Sequence, residues 1–231
     1  MSGAGVRALG AEFLGGALLA AIVVGSGIAA ASLSPGDVGL QLFENAFATA
    51  LGLAVLIVVF QTVSGAHFNP AVTVVDALLH RKRWATAGLY IPVQIAGCIG
   101  GAVLANLMFA LPAVTWSTTA RATPATLLAE VVATAGLILV VFALVRTGRG
   151  QLAGPVVGAY IGAAYWFTSS TSFANPAITV GRMFSDTFAG IDPSSAVPFV
   201  VAQFVGAGVG LAVIALLFPR TPAVAAAEHP V

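Results

Sequence analysis

The hexapeptide Asn69-Pro70-Ala71-Val72-Thr73-Val74 recurs as Asn175-Pro176-Ala177-Ile178-Thr179-Val180, six aligned positions that differ once, by a methylene. Each copy opens an apolar piece of ten residues, Pro70 to Leu79 and Pro176 to Ser185. As helix, ten residues rise ~15 Å, about half of a ~30 Å hydrocarbon core, so neither piece crosses a bilayer alone. Yet the surroundings demand lipid. Of the 231 residues 59% are hydrophobic and 7% charged, whereas a soluble domain carries about 25% charged residues. Any fold for this chain must therefore hold two half-length helices inside a membrane protein.

The rest of the chain supplies the frame. Apolar windows of spanning length fall at about 10–33, 41–63, 84–110, 126–146, 152–169 and 195–218. Arg7 ahead of an apolar run with small residues from Ala29 to Ser32 has the outline of a signal peptide. However, Phe13 to Leu33 is 21 residues without a charge, long enough to span, and is read as the first membrane helix. The halves echo one another beyond the hexapeptide. Ala11-Glu12 in the first span matches Ala129-Glu130 in the fourth, and Gln94-Ile95-Ala96-Gly97 in the third matches Gln203-Phe204-Val205-Gly206 in the sixth.

Three spans plus a half-helix, twice, describes the chain: a first repeat over 1–110 with its half-helix at 70–80, and a second over 126–220 with its half-helix at 176–185, within one domain of 1–231. An odd number of spans per repeat makes the second copy enter from the opposite side, so the repeats are inverted and the half-helices meet at mid-membrane. The predicted class is an all-α membrane protein of six transmembrane helices and two re-entrant half-helices. With the N-terminus inside, Arg7, Arg81, Lys82, Arg83, Arg146, Arg149 and Arg220 are cytoplasmic and Arg121 and Arg182 external, a split of seven to two. Both termini are then cytoplasmic, in a multi-pass protein of the plasma or inner membrane. Leu111 to Pro124 is the long external loop, and the Ala- and Pro-rich tail after Pro219 is expected to be disordered.

Asn is a favoured N-cap and Pro a favoured first helical residue, so Asn69-Pro70 and Asn175-Pro176 are helix starts. Ala71 and Ala177 keep the turns small enough to pack tip to tip, where irregular backbone survives only if buried or lining water. If each Asn carbonyl oxygen caps its own helix, its NH2 group is left to face a lumen as a donor. The two helix starts also direct partial positive charge at that point, which suits the oxygen of a neutral dipolar solute and opposes cations, hydronium included.

Other classes fare worse. No basic run exceeds Arg81-Lys82-Arg83 and the net charge is +1, so nucleic-acid binding is excluded. The single Cys98 rules out an internal disulfide and any CxxC metal or redox site, and no cofactor or metal is expected. Gly25-Ser26-Gly27 lacks a strand context and no nucleophile set converges, which argues against an enzyme; those glycines suit close helix packing. A secondary transporter shares inverted repeats and broken helices but needs ionisable groups at its central site. An occluded structural version of the fold would need bulky residues in the constriction.

Over essentially its whole length the chain resembles the aquaporin and glycerol-facilitator family. Ser64-Gly65-Ala66-His67-Phe68-Asn69-Pro70-Ala71-Val72-Thr73 matches that family's first signature loop. The resemblance implies a right-handed bundle of six helices with two half-helices, usually a homotetramer with one pore per protomer. By analogy Glu12 and Glu130 accept hydrogen bonds from the signature-loop backbone, His67 lines the cytoplasmic half of the pore, and Gln94 and Gln203 bond neighbouring helices.

The second signature departs from the family. Most members follow the second Asn-Pro-Ala with Arg; here the residue is Ile178. Counting back without gaps puts the other filter positions at Thr49, Ala163 and Ser172. This small, uncharged set implies a wide filter without the usual cation. Arg182, one turn beyond Ile178, is expected to pair with Asp186. Thr179 and Val180 stand where glycerol facilitators commonly carry Asp, which weakens a glycerol assignment. With Ser170-Thr171-Ser172-Phe173-Ala174 leading into the turn, the filter is most similar to a bacterial subgroup linked to arsenic resistance. That likeness implies passage of arsenite and methylated arsenicals, with water, glycerol or small polyols as the alternative solutes.

Overall fold

In the computed structural model, which describes residues 3–219, five helices are long and apolar enough to cross a bilayer. They are α1 (Gly3–Leu33), α2 (Val38–Ser64), α4 (Trp84–Met108), α5 (Pro124–Arg146) and α8 (Pro193–Leu217). Between them lie α3 (Pro70–Leu78), α6 (Ala153–Phe167) and α7 (Pro176–Gly181), making eight α-helices among the described residues. Arg220 and the tail expected to be disordered fall outside those residues, as does the predicted end of the second repeat.

The sixth crossing is α6, shorter than its predicted window. Its 15 residues follow a three-residue 3-10 turn, Gly150–Leu152, and the two together rise ~28 Å, still enough for the hydrocarbon core. The half-helices also differ from expectation. α3 runs nine residues, whereas α7 stops after six and continues as the 3-10 turn Arg182–Phe184. The segment after α4 packs on that turn. Ser117 N donates to the Met183 carbonyl (2.9 Å) and Thr115 N to that of Phe184 (3.2 Å), while Asn106 Nδ2 adds a second bond to Phe184 (3.0 Å). These bonds from outside hold the 3-10 turn that follows α7.

The two-fold likeness of the sequence reappears in packing. α1 crosses α4, and α5 crosses α8 in the same way. At the first crossing Gly97 and Gly101 bring α4 against the backbone of α1: a Cβ on Gly101 would sit 1.9 Å from the Ala17 carbonyl oxygen. At the second, a Cβ on Gly206 or Gly210 would lie 2.4 or 2.7 Å from the carbonyls of Val131 and Ala135. Gly-x-x-x-Gly thus sets the helix separation in both halves. Gly101→Val should force α1 and α4 apart at a cost of about 3 kcal/mol or more. The expected result is little folded protein recoverable from membranes in mild detergent; a wild-type yield and melting temperature would contradict this packing.

Candidate functional site: a lumen between two Asn-Pro-Ala turns

The peptides leading into α3 and α7 adopt the same unusual backbone. Gly65, Ala66 and Phe68 have φ of 93°, 51° and 50°, and their counterparts Thr171, Ser172 and Ala174 have 61°, 51° and 47°. Six left-handed residues, five of them not glycine, need external support. It comes from two buried carboxylates. Glu12 accepts from His67 N (3.0 Å), Phe68 N (2.7 Å), Ser64 Oγ (2.6 Å) and Gln94 Nε2 (2.7 Å). Glu130 accepts from Phe173 N (2.9 Å), Ala174 N (2.9 Å) and Gln203 Nε2 (2.7 Å). Gln94 and Gln203 extend each network to Thr73 and Thr179 (both 2.9 Å), whose hydroxyls bond the Asn69 and Asn175 carbonyls. Burying a carboxylate is tolerable here because its lone pairs meet several donors.

Each asparagine then caps its helix and grips the other repeat. Asn69 Oδ1 accepts from Ala71 N and Asn175 Oδ1 from Ala177 N, both at 2.9 Å. Asn69 Nδ2 donates to the Ala174 carbonyl and Asn175 Nδ2 to that of Phe68, both at 2.8 Å. The NH2 groups are therefore not wholly given to the lumen, as the sequence suggested: one N–H of each ties the tips together and the other remains. Pro70, Ala71, Pro176 and Ala177 are buried in the contact.

Past this contact runs a cavity of about 490 Å³ lined by residues of both repeats. One end holds Gln61, His67, Asp76, Arg81 and Lys82, the middle Asn69 and Asn175, and the other end Thr49, Tyr165, Ser172, Phe173, Ile178 and Arg182. Two inverted half-repeats thus enclose a path with paired amides at its centre.

The major intrinsic protein family model matches residues 2–172. The chain belongs to the major intrinsic protein family. It is 46% identical over 213 residues to aquaglyceroporin AqpS of Rhizobium meliloti (strain 1021), covering 92% of this chain and 91% of that one. It is also 32% identical over 212 residues to the glycerol uptake facilitator protein of Pseudomonas aeruginosa, covering 79% and 75%. Among solved structures, an X-ray structure of the aquaglyceroporin from Plasmodium falciparum superposes with a TM-score of 0.74 over 96% of this chain and 99% of that one. At 22% identity that likeness bears on the fold alone, the aquaporin fold. Members of this family are passive channels for small neutral solutes and not enzymes.

For this major intrinsic protein the structure redraws the predicted filter. Thr49, Ser172 and Ile178 line the cavity. Ala163 does not; it is exposed on the outside of α6. Ile161 and Tyr165 supply that wall instead, and the Tyr165 hydroxyl lies 3.2 Å from Thr49 Oγ1. The gapless count was two residues out, which turns a helical side chain by about 200° to the opposite face. The expected Arg182–Asp186 pair is also absent. Asp186 accepts from Thr118 N (2.9 Å), while Arg182 donates from Nε to the Ala189 carbonyl and lies with its guanidinium carbon 3.4 Å from the Phe173 ring centre. Arg182 reaches the cavity wall, so this end of the lumen carries a cation, one turn from the position where sequence comparison looked for it.

The opposite end contains an acid that sequence reasoning passed over. Asp76 is buried, with His67 Nε2 at 3.6 Å and Arg81 Nε at 3.1 Å. His67 Nδ1 is 3.0 Å from Thr73 Oγ1. A signal for Asp76 was available: it follows Asn69 by seven residues, as Arg182 follows Asn175. Two positions related by the repeat thus carry opposite charges at opposite ends of the lumen.

Proposed function

We propose that this protein conducts small uncharged, hydroxyl-bearing solutes passively across the cell membrane, arsenite and methylated arsenicals among them, together with water. The observation that carries this is the distribution of charge along the lumen. Among the described residues, Asp76, Arg81, Lys82 and Arg182 stand at its ends, and its middle is lined by Asn69, Asn175 and apolar side chains. A solute stripped of water meets amide donors there, and an ion meets nothing that replaces its hydration. The absence of an ionisable group at the centre argues against ion-coupled transport. Ile178 in place of a guanidinium leaves the wall beside the second turn uncharged, which favours compact polyhydroxyl molecules such as As(OH)3 over a water-only path. In this reading Asn69, Asn175, Thr49, Ser172, Ile178 and His67 line the path, with Tyr165 taking the place first given to Ala163.

The positive-inside distribution supports N- and C-termini on the cytoplasmic side, with the Arg81 end of the lumen inward. The family resemblance supports a homotetramer with a lumen in each protomer. Glycerol is the second reading, favoured by the naming of the Rhizobium and Pseudomonas relatives as an aquaglyceroporin and a glycerol uptake facilitator.

Flux into proteoliposomes separates these readings. Arsenite, methylarsenicals, glycerol and water should all enter faster than through protein-free vesicles, with rates linear in the gradient. Glycerol entry without arsenite entry would select the second reading. Saturation or dependence on a proton gradient would overturn the channel.

A further inference from the structure

We propose that His67 Nε2 and Asp76 Oδ2 form a site for solute hydroxyl groups at the Arg81 end of the lumen, where the protein accepts hydrogen bonds instead of donating them. This rests on the reading that the lumen conducts neutral solutes, and adds to it a station at the end away from Ile178.

The hydrogens around His67 are fixed by the network behind it. Thr73 Oγ1 lies 3.0 Å from both the Asn69 carbonyl oxygen and His67 Nδ1, and it has one proton to give. The other repeat shows where that proton goes. Thr179, with Phe173 at the position matching His67, donates to the Asn175 carbonyl and accepts from Gln203 Nε2, both at 2.9 Å. Thr73 keeps the same geometry: it donates to the Asn69 carbonyl, accepts from Gln94 Nε2 (2.9 Å), and its second lone pair takes the Nδ1–H of His67. The neutral ring then carries its proton on Nδ1 and a lone pair on Nε2. Burial of the side chain, 9% exposed, together with Lys82 and Arg81 on the same wall, opposes a second proton on the ring.

That lone pair faces another acceptor. Nε2 is 3.6 Å from Asp76 Oδ2. Arg81 holds the carboxylate in place, its Nε donating to Oδ1 (3.1 Å) and its backbone N to the Asp76 carbonyl (3.0 Å). The ring is held as well, in a T-shaped contact with Tyr90 at 5.8 Å between centroids. A carboxylate opposite a lone pair is repulsive, and no donor among the described residues reaches Nε2. Both groups line the cavity. An O–H arriving through the lumen relieves the repulsion by donating to one acceptor, or to both where a polyol or a water molecule brings two hydrogens. The repeat does not carry this site to the other end. At the positions matching His67 and Asp76 stand Phe173 and Arg182, again a ring against a charge, with the guanidinium carbon 3.4 Å from the ring centre, but that pair offers no lone pair. A solute oxygen that accepts from Asn69 and Asn175 at the centre thus turns to donating its hydrogen at the Arg81 end.

Nitrogen-15 NMR of histidine-labelled protein in proteoliposomes tests this, with the His67 signals identified among those of three histidines by their loss in His67→Gln. Near neutral pH, Nδ1 should be protonated and Nε2 bare. Glycerol should shift the Nε2 signal from its position in water alone. The glycerol concentration at half of that shift should rise about tenfold in Asp76→Leu, the scale of a bond to a charged acceptor. Asp76→Asn, which keeps the shape and loses the charge, should raise it by a smaller factor, and it decides the matter if the Leu variant misfolds. A proton on Nε2 would overturn the site, as would a half-saturation that neither substitution moves. An Nε2 signal that responds to hydration and not to glycerol would assign the acceptors to water and overturn the solute site. Glycerol flux into the same vesicles is recorded alongside: no flux with the Nε2 response intact would bring down the channel reading and leave the site standing.

Discussion

Replacing Asn175 with Leu should reduce water and glycerol flux to the level of protein-free vesicles. The side chain performs three tasks that no apolar residue performs. Its Oδ1 accepts from Ala177 N (2.9 Å) and Ile178 N (3.3 Å), a cap whose loss costs about 1 kcal/mol. Its Nδ2 satisfies the Phe68 carbonyl, which Leu would leave buried and unpaired at about 1–3 kcal/mol. The remaining N–H is one of the donors at the centre of the lumen, and a branched alkyl group there would both narrow the path and remove the bond that replaces a solute's hydration. The measurement is stopped-flow light scattering at matched protein density, with melting temperature recorded alongside. Flux near the wild-type level would show that the path does not pass Asn175.

Ile178→Arg should separate solutes by size. Ile178 lines the cavity beside the second turn and is 4% exposed. A guanidinium there would fill lumen that Ile leaves open and would stand one helical turn from Arg182, a like-charge pair at i,i+4. Glycerol and arsenite permeability should fall at least about tenfold, equivalent to about 1.4 kcal/mol of barrier, with water reduced much less because it is smaller. Equal losses for water and glycerol would refute the assignment of Ile178 to the filter.

Much of this arrangement is legible without coordinates. The duplicated hexapeptide carries its own cap and first-turn residue, so both half-helices and their starting points follow from local chemistry. The paired Glu12 and Glu130 are interpretable because an acid in an apolar span needs donors, and the signature loops are where unsatisfied N–H groups occur. The filter was less legible. Ala163 failed because side-chain direction on a helix changes by about 100° per residue, and a gapless count carries no information about phase at α6, which follows a 3-10 turn. The Arg182–Asp186 pairing failed because i,i+4 spacing brings charges together only if the helix continues, and α7 ends at Gly181.

The sequence by itself determined that this chain is a membrane protein of two inverted halves whose half-helices start at Asn69 and Asn175, because spanning length, capping and repetition are local properties. Only the tertiary structure decided which side chains share the lumen. The asparagine amides bind across the repeat, over separations of 105 and 107 residues. The loop after α4 bonds the 3-10 turn that follows α7, and that turn, with the Phe173 ring beside it, places Arg182 against the lumen. Each of these contacts joins segments distant in the chain, and no pattern within either segment specifies its partner.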